Sequence, residues 1–215
     1  MPPDVSWPRV VLIADRFTVS SRFKRARAAV RAGIHWVHLR DHDADAETFR
    51  RRARACASKM RETRPDVHLS VNARLPVAAD LSTGFHTGVR GASVAEARAE
   101  LGPRARIGFS AHEHGEVVAE ATEAADYFFY SPIFPTSSKP GHPGVGTDAL
   151  RTVCDATNRP VYALGGVTPE RVSACLASGA HGVAVLSGIL DAVSVTDAVR
   201  EYLQAVGSAM NDGKG

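Results

Sequence analysis

The stretch VYALGGVTPERVSACLASGAHGVAVLSG, Val161–Gly188, decides the fold. It holds two short β-type runs, Val161–Leu164 and Gly182–Leu186, rich in apolar residues and followed by small ones. A helical pattern, Pro169–Ser178, lies between them. Thr168-Pro169-Glu170 opens it, with Thr at the N-cap and Pro at the first helical position, where a missing N–H costs nothing. Ser178-Gly179-Ala180 closes it with glycine in the C-terminal turn. Strand, helix and strand in this order make a βα repeat.

The same rhythm fills the rest of the chain. Strand-like runs at Val10–Ala14, Trp36–Leu39, His68–Val71, Gly84–His86, Arg106–Phe109 and Tyr127–Tyr130 precede the two named above. Helical spacing recurs over Ala46–Met60, Ser93–Leu101, Glu113–Ala124, Asp148–Thr157 and Val193–Ala205. Such a series in 215 residues predicts an α/β protein, a single small TIM (β/α)8 barrel over residues 1–206. The polar, Gly-rich segment 207–215 is expected to fray as a flexible tail. A doubly wound dinucleotide fold is disfavoured, because the turn after the first strand, Ala14-Asp15-Arg16-Phe17, has no glycine.

Composition narrows the function classes. Hydrophobic residues are 44% and charged residues 23%, which excludes wholesale disorder. No apolar run approaches the roughly 20 residues of a spanning helix, so no membrane partner is expected. The start, MPPDVSWPRV, lacks a basic flank and an apolar h-region, so no secretory signal is expected and the location is read as cytoplasmic. Cys56, Cys154 and Cys175 are scattered, without a CxxC pair, which argues against a disulfide framework and a structural zinc site. The net charge of +3 comes from arginines spread along helices without interleaved aromatics. They read as solvated faces rather than a nucleic-acid surface. Amphipathic barrel helices are compatible with a homodimer or a higher homo-oligomer.

In a barrel of this kind the site stands at the C-terminal ends of the strands. The residues there are Asp15-Arg16, Arg40-Asp41-His42, Asn72-Ala73-Arg74, His86-Thr87-Gly88, Ser110-Ala111-His112, Ser131 through Lys139, Gly165-Gly166 and Ser187-Gly188. They are polar, poor in carboxylates and suited to anions. Gly165-Gly166 and Ser187-Gly188 follow the last two strands, where barrels often bind phosphate through close backbone N–H groups. Glycines there could equally serve tight turns alone. The loop SPIFPTSSKPGHPGVG, Ser131–Gly146, is long for a βα connection. Thr136, Ser138 and Lys139 offer two hydroxyls and an ammonium within it, and His142 could close over a ligand. Alternation along the second strand puts Trp36, His38 and Arg40 on one side.

Taken together, HLR at His38–Arg40, VNAR at Val71–Arg74, GFHTG at Gly84–Gly88, IGFSAHE at Ile107–Glu113, ADYFFYSPIFPTSSKPG at Ala125–Gly141 and ALGGVTPERV at Ala163–Val172 resemble the thiamine phosphate synthase / thiazole tautomerase (TenI-like) family, over nearly the whole chain. In the synthase, a thiazole phosphate displaces pyrophosphate from an aminopyrimidine diphosphate with help from Mg²⁺. The resemblance implies that Thr136, Ser138, Lys139, Gly165, Gly166, Ser187 and Gly188 hold the thiazole phosphate. Arg40 and Asn72 remain at the pyrophosphate end. The lysine position there holds His42, the first aspartate position Ala73, and the second metal aspartate position falls at about Gly91.

Mg²⁺ takes oxygen ligands, usually one or two carboxylates plus phosphates. Their loss at Ala73 and Gly91 shifts the reading toward the tautomerase branch, which moves a proton to aromatise a thiazole carboxylate phosphate and needs no cofactor or metal. That chemistry calls for a base titrating near neutrality. The tautomerase histidine after the sixth strand is Pro132 here, so the base must come from elsewhere. His38 is the first choice, with His86 and His112 next, and Ser110 is a further substrate contact. A divergent synthase, using Mg²⁺, is the alternative, and an inactive binder of thiazole or thiamine phosphate is the third reading.

Overall fold

The structure, a computed structural model, describes residues 7–212. Eight strands lie in chain order: β1 Val10–Asp15, β2 Trp36–Arg40, β3 His68–Asn72, β4 Gly84–Thr87, β5 Ile107–Ala111, β6 Tyr127–Tyr130, β7 Val161–Leu164 and β8 Gly182–Val185. They pair in sequence, all parallel, and β8 returns to β1 to close the barrel. The helices are α1 Ser20–Ala32, α2 Ala46–Thr63, α3 Leu75–Leu81, α4 Val94–Leu101, α5 His114–Val118, α6 Gly146–Asp155, α7 Val172–Ala177, α8 Ser187–Leu190 and α9 Val195–Asp212. The expected TIM barrel is the observed one.

Strand parity divides the core in two. One set of side chains, including Leu12, Val37, Leu39, Phe85 and Val183, packs outward under the helices. The other set, Val11, Ile13, Trp36, Tyr127, Phe129, Tyr162 and Ala184, fills the barrel interior. The register sets Trp36 against Val11, His38 against Ile13 and Arg40 against Asp15. The side of β2 that carries Trp36, His38 and Arg40 therefore faces inward and ends at the mouth.

Several elements differ from expectation. The pattern Glu113–Ala124 gives α5 and then a separate 3₁₀ turn at Glu120–Thr122. The Thr122 hydroxyl donates to the carbonyls of Glu116 and Ala119, which ends the α-helix. Pro169–Arg171 is likewise a 3₁₀ turn before α7, and the Thr168 side chain makes no cap bond. Helix α3 was not anticipated, since seven residues give little periodic signal. Helix α9 continues to Asp212, past the boundary expected at residue 206, so most of the expected tail is helical. Buried Val199, Tyr202 and Val206 anchor that helix, and propagation from an anchored helix is favourable. Residues 213–215 of the expected tail lie outside the described residues, as do residues 1–6.

Candidate active site at the barrel mouth

The interior layer beneath the mouth is polar and fully partnered. Ser70 on β3 accepts from the indole N–H of Trp36 at 2.9 Å and pairs with Nδ1 of His38 at 2.9 Å. His86 on β4 places Nε2 2.8 Å from the Ser110 hydroxyl and Nδ1 3.1 Å from the Tyr127 hydroxyl. Its ring stacks on Phe129, with centroids 4.3 Å apart, and meets His38 edge-on at 5.1 Å.

His38 is 2% exposed and His86 1%. Burial, followed by the Arg40 charge, pushes His38 down to about 3. Burial, followed by His38, pulls His86 well below its ordinary value. This departs from the expectation of a base titrating near neutrality. Both rings are neutral, packed parts of the barrel interior, and Ser110 is partnered to one of them.

His112 differs. It stands exposed just beyond β5, with Nδ1 2.6 Å from the Ser131 carbonyl. A carbonyl only accepts, so this hydrogen bond places a proton on Nδ1. The Lys139 ammonium lies 3.3 Å from the same Nδ1. With that nitrogen already donating, the ammonium is left to bind an anion. Sequence alternation sorted the histidines by strand face but not by depth, so it ranked His38 above His112.

Thr136, Ser138 and Lys139 lie in the loop between β6 and α6. The Lys139 N–H donates to the Thr136 carbonyl at 3.1 Å, and His142 folds back onto Lys139 at 3.2 Å. The base of the loop is fastened to β7, where Ile133 and Phe134 donate to the carbonyls of Leu164 and Gly165 at 2.9 and 3.0 Å. Gly165 and Gly166 both have positive φ, +94° and +64°. A Cβ on Gly165 would lie 2.7 Å from Pro132 Cβ, and one on Gly166 would run into the Pro135 carbonyl. The glycines thus seat the loop, and the turn they make also reaches the mouth. Arg171 braces it, donating to the Gly166 carbonyl at 2.7 Å while covering the Phe134 ring at 4.7 Å. Ser187 and Gly188 open α8 beside this turn. The first N–H groups of a helix lack intrahelical partners. Thr136, Ser138, Lys139, Gly165, Gly166, Ser187 and Gly188 therefore gather on the β6–β8 side of the rim.

The β1–β4 side carries Arg40 and Asn72. Arg40 pairs with Asp15, given no role from sequence, and the strand register sets the two opposite. Asn72 hydrogen-bonds His38. Asp41, 4% exposed, accepts from Thr18 at 2.5 Å and from the N–H groups of Asp43 and Ala44 at 3.1 and 3.2 Å. It folds the loop that carries His42, whose imidazole is pulled below its ordinary value by burial and then by Arg40.

The Mg²⁺ implied by the synthase resemblance can be tested against these residues. Among the described residues no three His, Cys, Asp or Glu side chains converge to hold a metal ion. Ala73 has φ +54°, a left-handed geometry that Asp or Asn tolerates better than Ala. At Gly91 a Cβ would overlap the Thr87 hydroxyl, which closes this loop by donating to Ala92 at 2.7 Å. Ala73 and Gly91 therefore supply no carboxylate oxygen at the two positions where the resemblance places metal ligands.

The profile described as thiamine monophosphate synthase matches residues 10–189. A thiamine-phosphate synthase of Salinibacter ruber is 32% identical over 197 residues, covering 89% of this chain and 85% of the relative. One from Natronomonas pharaonis is 37% identical over 186 residues, covering 83% and 85%. Among solved structures, a thiamine phosphate pyrophosphorylase from Pyrococcus furiosus superposes with a TM-score of 0.82 at 23% identity, covering 94% of this chain and 96% of its own, a likeness of fold.

Proposed function

The chain belongs to the thiamine monophosphate synthase family, and from that premise we propose that it is a thiamine-phosphate synthase. It binds a thiazole phosphate at the β6–β8 rim and joins it to an aminopyrimidine diphosphate. The thiazole nitrogen forms a bond to the pyrimidine methylene carbon. The carbon–oxygen bond to diphosphate breaks, and its electron pair leaves with pyrophosphate. The observation that carries this reading is that Thr136, Ser138, Lys139, the Gly165-Gly166 turn and the start of α8 all lie in the connections that follow β6, β7 and β8, three neighbouring strands of the barrel. These groups hold and orient the thiazole, so that binding energy offsets the entropy of bringing two substrates together.

The test supplies both halves and follows thiamine phosphate and pyrophosphate, with and without Mg²⁺. Formation of both products is expected, and Lys139→Ala should raise KM for thiazole phosphate about tenfold or more, through a lost charge-assisted contact. No product at high enzyme concentration, with thiazole phosphate bound, would overturn the reading.

A second reading, thiazole tautomerisation, is favoured by one observation. His112 stands exposed just beyond β5 with Nδ1 donating to the Ser131 carbonyl, so the neutral ring would offer Nε2 as the base. It could take a proton from one ring position and return it at another, aromatising a thiazole carboxylate phosphate. Ultraviolet absorbance would report this, with His112→Gln abolishing any acceleration. Tight binding of thiamine phosphate with no turnover in either assay would leave only a binding role.

A further inference from the structure

We infer that Tyr202, on helix α9, is a positioning residue that holds the turn after β7 in the shape in which it grips the phosphate of the thiazole. The inference rests on the synthase reading for the identity of that ligand. The profile match ends at residue 189 and α9 begins at Val195, so Tyr202 lies outside the matched segment. It is nonetheless buried, 1% exposed, on the face of α9 that also carries Val195, Ala198, Val199 and Val206. A buried hydroxyl needs a partner. That of Tyr202 donates to the Val167 carbonyl at 2.9 Å, directly after Gly165-Gly166. Burial, followed by Glu170 and Glu201, pushes it up to about 12, so it keeps the proton that it donates. The same oxygen lies against α8, where a Cβ on Gly188 would overlap it. The missing side chain at Gly188 is what admits the hydroxyl so close to the backbone after β8. One side chain thus meets both the turn after β7 and the segment after β8.

Peptide geometry says what this contact does. A trans peptide sets its N–H opposite its C=O. The Val167 carbonyl, held by Tyr202, therefore turns the Thr168 N–H away from α9. The Gly166 carbonyl, held by Arg171 at 2.7 Å, fixes the direction of the Val167 N–H in the same way. Among the described residues neither N–H has a hydrogen-bond partner. Successive N–H groups held in direction make an anion-binding concavity. Two glycines in a row give this turn many accessible shapes, so clamps from outside must select one. Arg171 is the exposed clamp and Tyr202 the buried one. With almost no surface of its own to offer a ligand, Tyr202 acts through the backbone that it holds.

The test is calorimetric titration with thiazole phosphate, together with steady-state synthesis. Tyr202→Phe keeps the packed ring and removes only the hydroxyl. Affinity for thiazole phosphate should fall about threefold to tenfold, the worth of one hydrogen bond. Its KM should rise in step, while kcat at saturation stays within about twofold. A merely structural role would lower the melting temperature and leave affinity and KM where they were. Gly188→Ala supplies a second arm. Its methyl meets the Tyr202 hydroxyl and should weaken binding about tenfold or more. Removing that hydroxyl makes room, so the double variant Gly188→Ala/Tyr202→Phe should bind more tightly than Gly188→Ala alone. Thermal melts check the fold, and should Gly188→Ala fail to fold, Tyr202→Phe decides alone. A folded Tyr202→Phe with wild-type affinity, or a double variant no tighter than Gly188→Ala, would overturn the role. Weakened binding in Tyr202→Phe, with no thiamine phosphate formed by the wild type, would sink the synthase reading and leave the role standing. Synthesis with an unchanged KM in Tyr202→Phe would do the reverse.

Discussion

A histidine's role here depends on its depth below the rim. His38 and His86 lie in the interior and exchange hydrogen bonds with hydroxyls, whereas His112 stands at the mouth with one nitrogen fixed and the other open. The buried pair makes a pH prediction. His38 is pushed down to about 3 in the folded chain, against an ordinary value of 6.5. Between those values the unfolded chain binds a proton that the folded chain refuses. Stability is therefore fully present above pH 6.5 and falls as pH drops toward 3. One such histidine contributes a slope of about 1.4 kcal/mol per pH unit within that window. His68, also pushed down to about 3 by burial and then by Arg106, acts in the same direction, as does His86. Urea denaturation between pH 5 and 7, above the ordinary carboxylate range, isolates these groups. The His38→Gln variant should show a slope shallower by about one proton near pH 5. Parallel wild-type and variant curves would mean that His38 is not held neutral.

Among the elements, the β6–α6 loop depends most on its neighbours. It rests on the Gly165-Gly166 turn, and its own backbone bonds to that turn. Gly166→Ala should therefore cost about 2 kcal/mol or more, from the positive φ and from overlap with the Pro135 carbonyl. Gly207→Ala is the control of opposite sign. It lies within α9 with nothing near its added methyl, so it should stabilise by about 0.5–1 kcal/mol. Denaturant midpoints of the two variants check both signs, and equal shifts would reject the seating role of Gly166. The elements themselves were legible in sequence wherever a period or a punctuating residue was strong. Val161–Leu164 and Tyr127–Tyr130 were read to the residue. What was lost was decided by groups far apart in sequence or by side chains competing for backbone. Thr122 breaks α5 by taking two carbonyls, and no periodicity announces that. Asp15 acquires its role only once β1 and β2 lie in register with Arg40 beside it. Thr136, Ser138 and Lys139 could be read together because they sit in one contiguous loop, whereas the Asp15–Arg40 pair forms across two strands.

For the whole molecule, barrel closure separates the two halves of the rim. The β6–β8 loops gather Lys139 and the glycine turn, while β1 and β2 carry Arg16, Asp15 and Arg40. Beneath the two halves, toward the strand N-termini, lies the packed interior of Trp36, Tyr127, Phe129 and Tyr162, tied by edge-on and tilted ring contacts of 4.8–6.2 Å. Close-packed interiors of this kind deform little, so changes on one side of the rim should not propagate to the other. Substitutions at sites with no shared partner usually act additively. Binding of thiazole phosphate alone should then weaken about tenfold or more in Lys139→Ala and stay within about twofold in Arg40→Gln. The double variant should show the sum of the two free-energy changes. Titration calorimetry on the four proteins of this cycle measures the coupling directly. Loss of thiazole phosphate affinity in Arg40→Gln, or marked non-additivity, would mean that both halves of the rim grip one phosphate. The placement of the thiazole phosphate on the β6–β8 side alone would then be wrong.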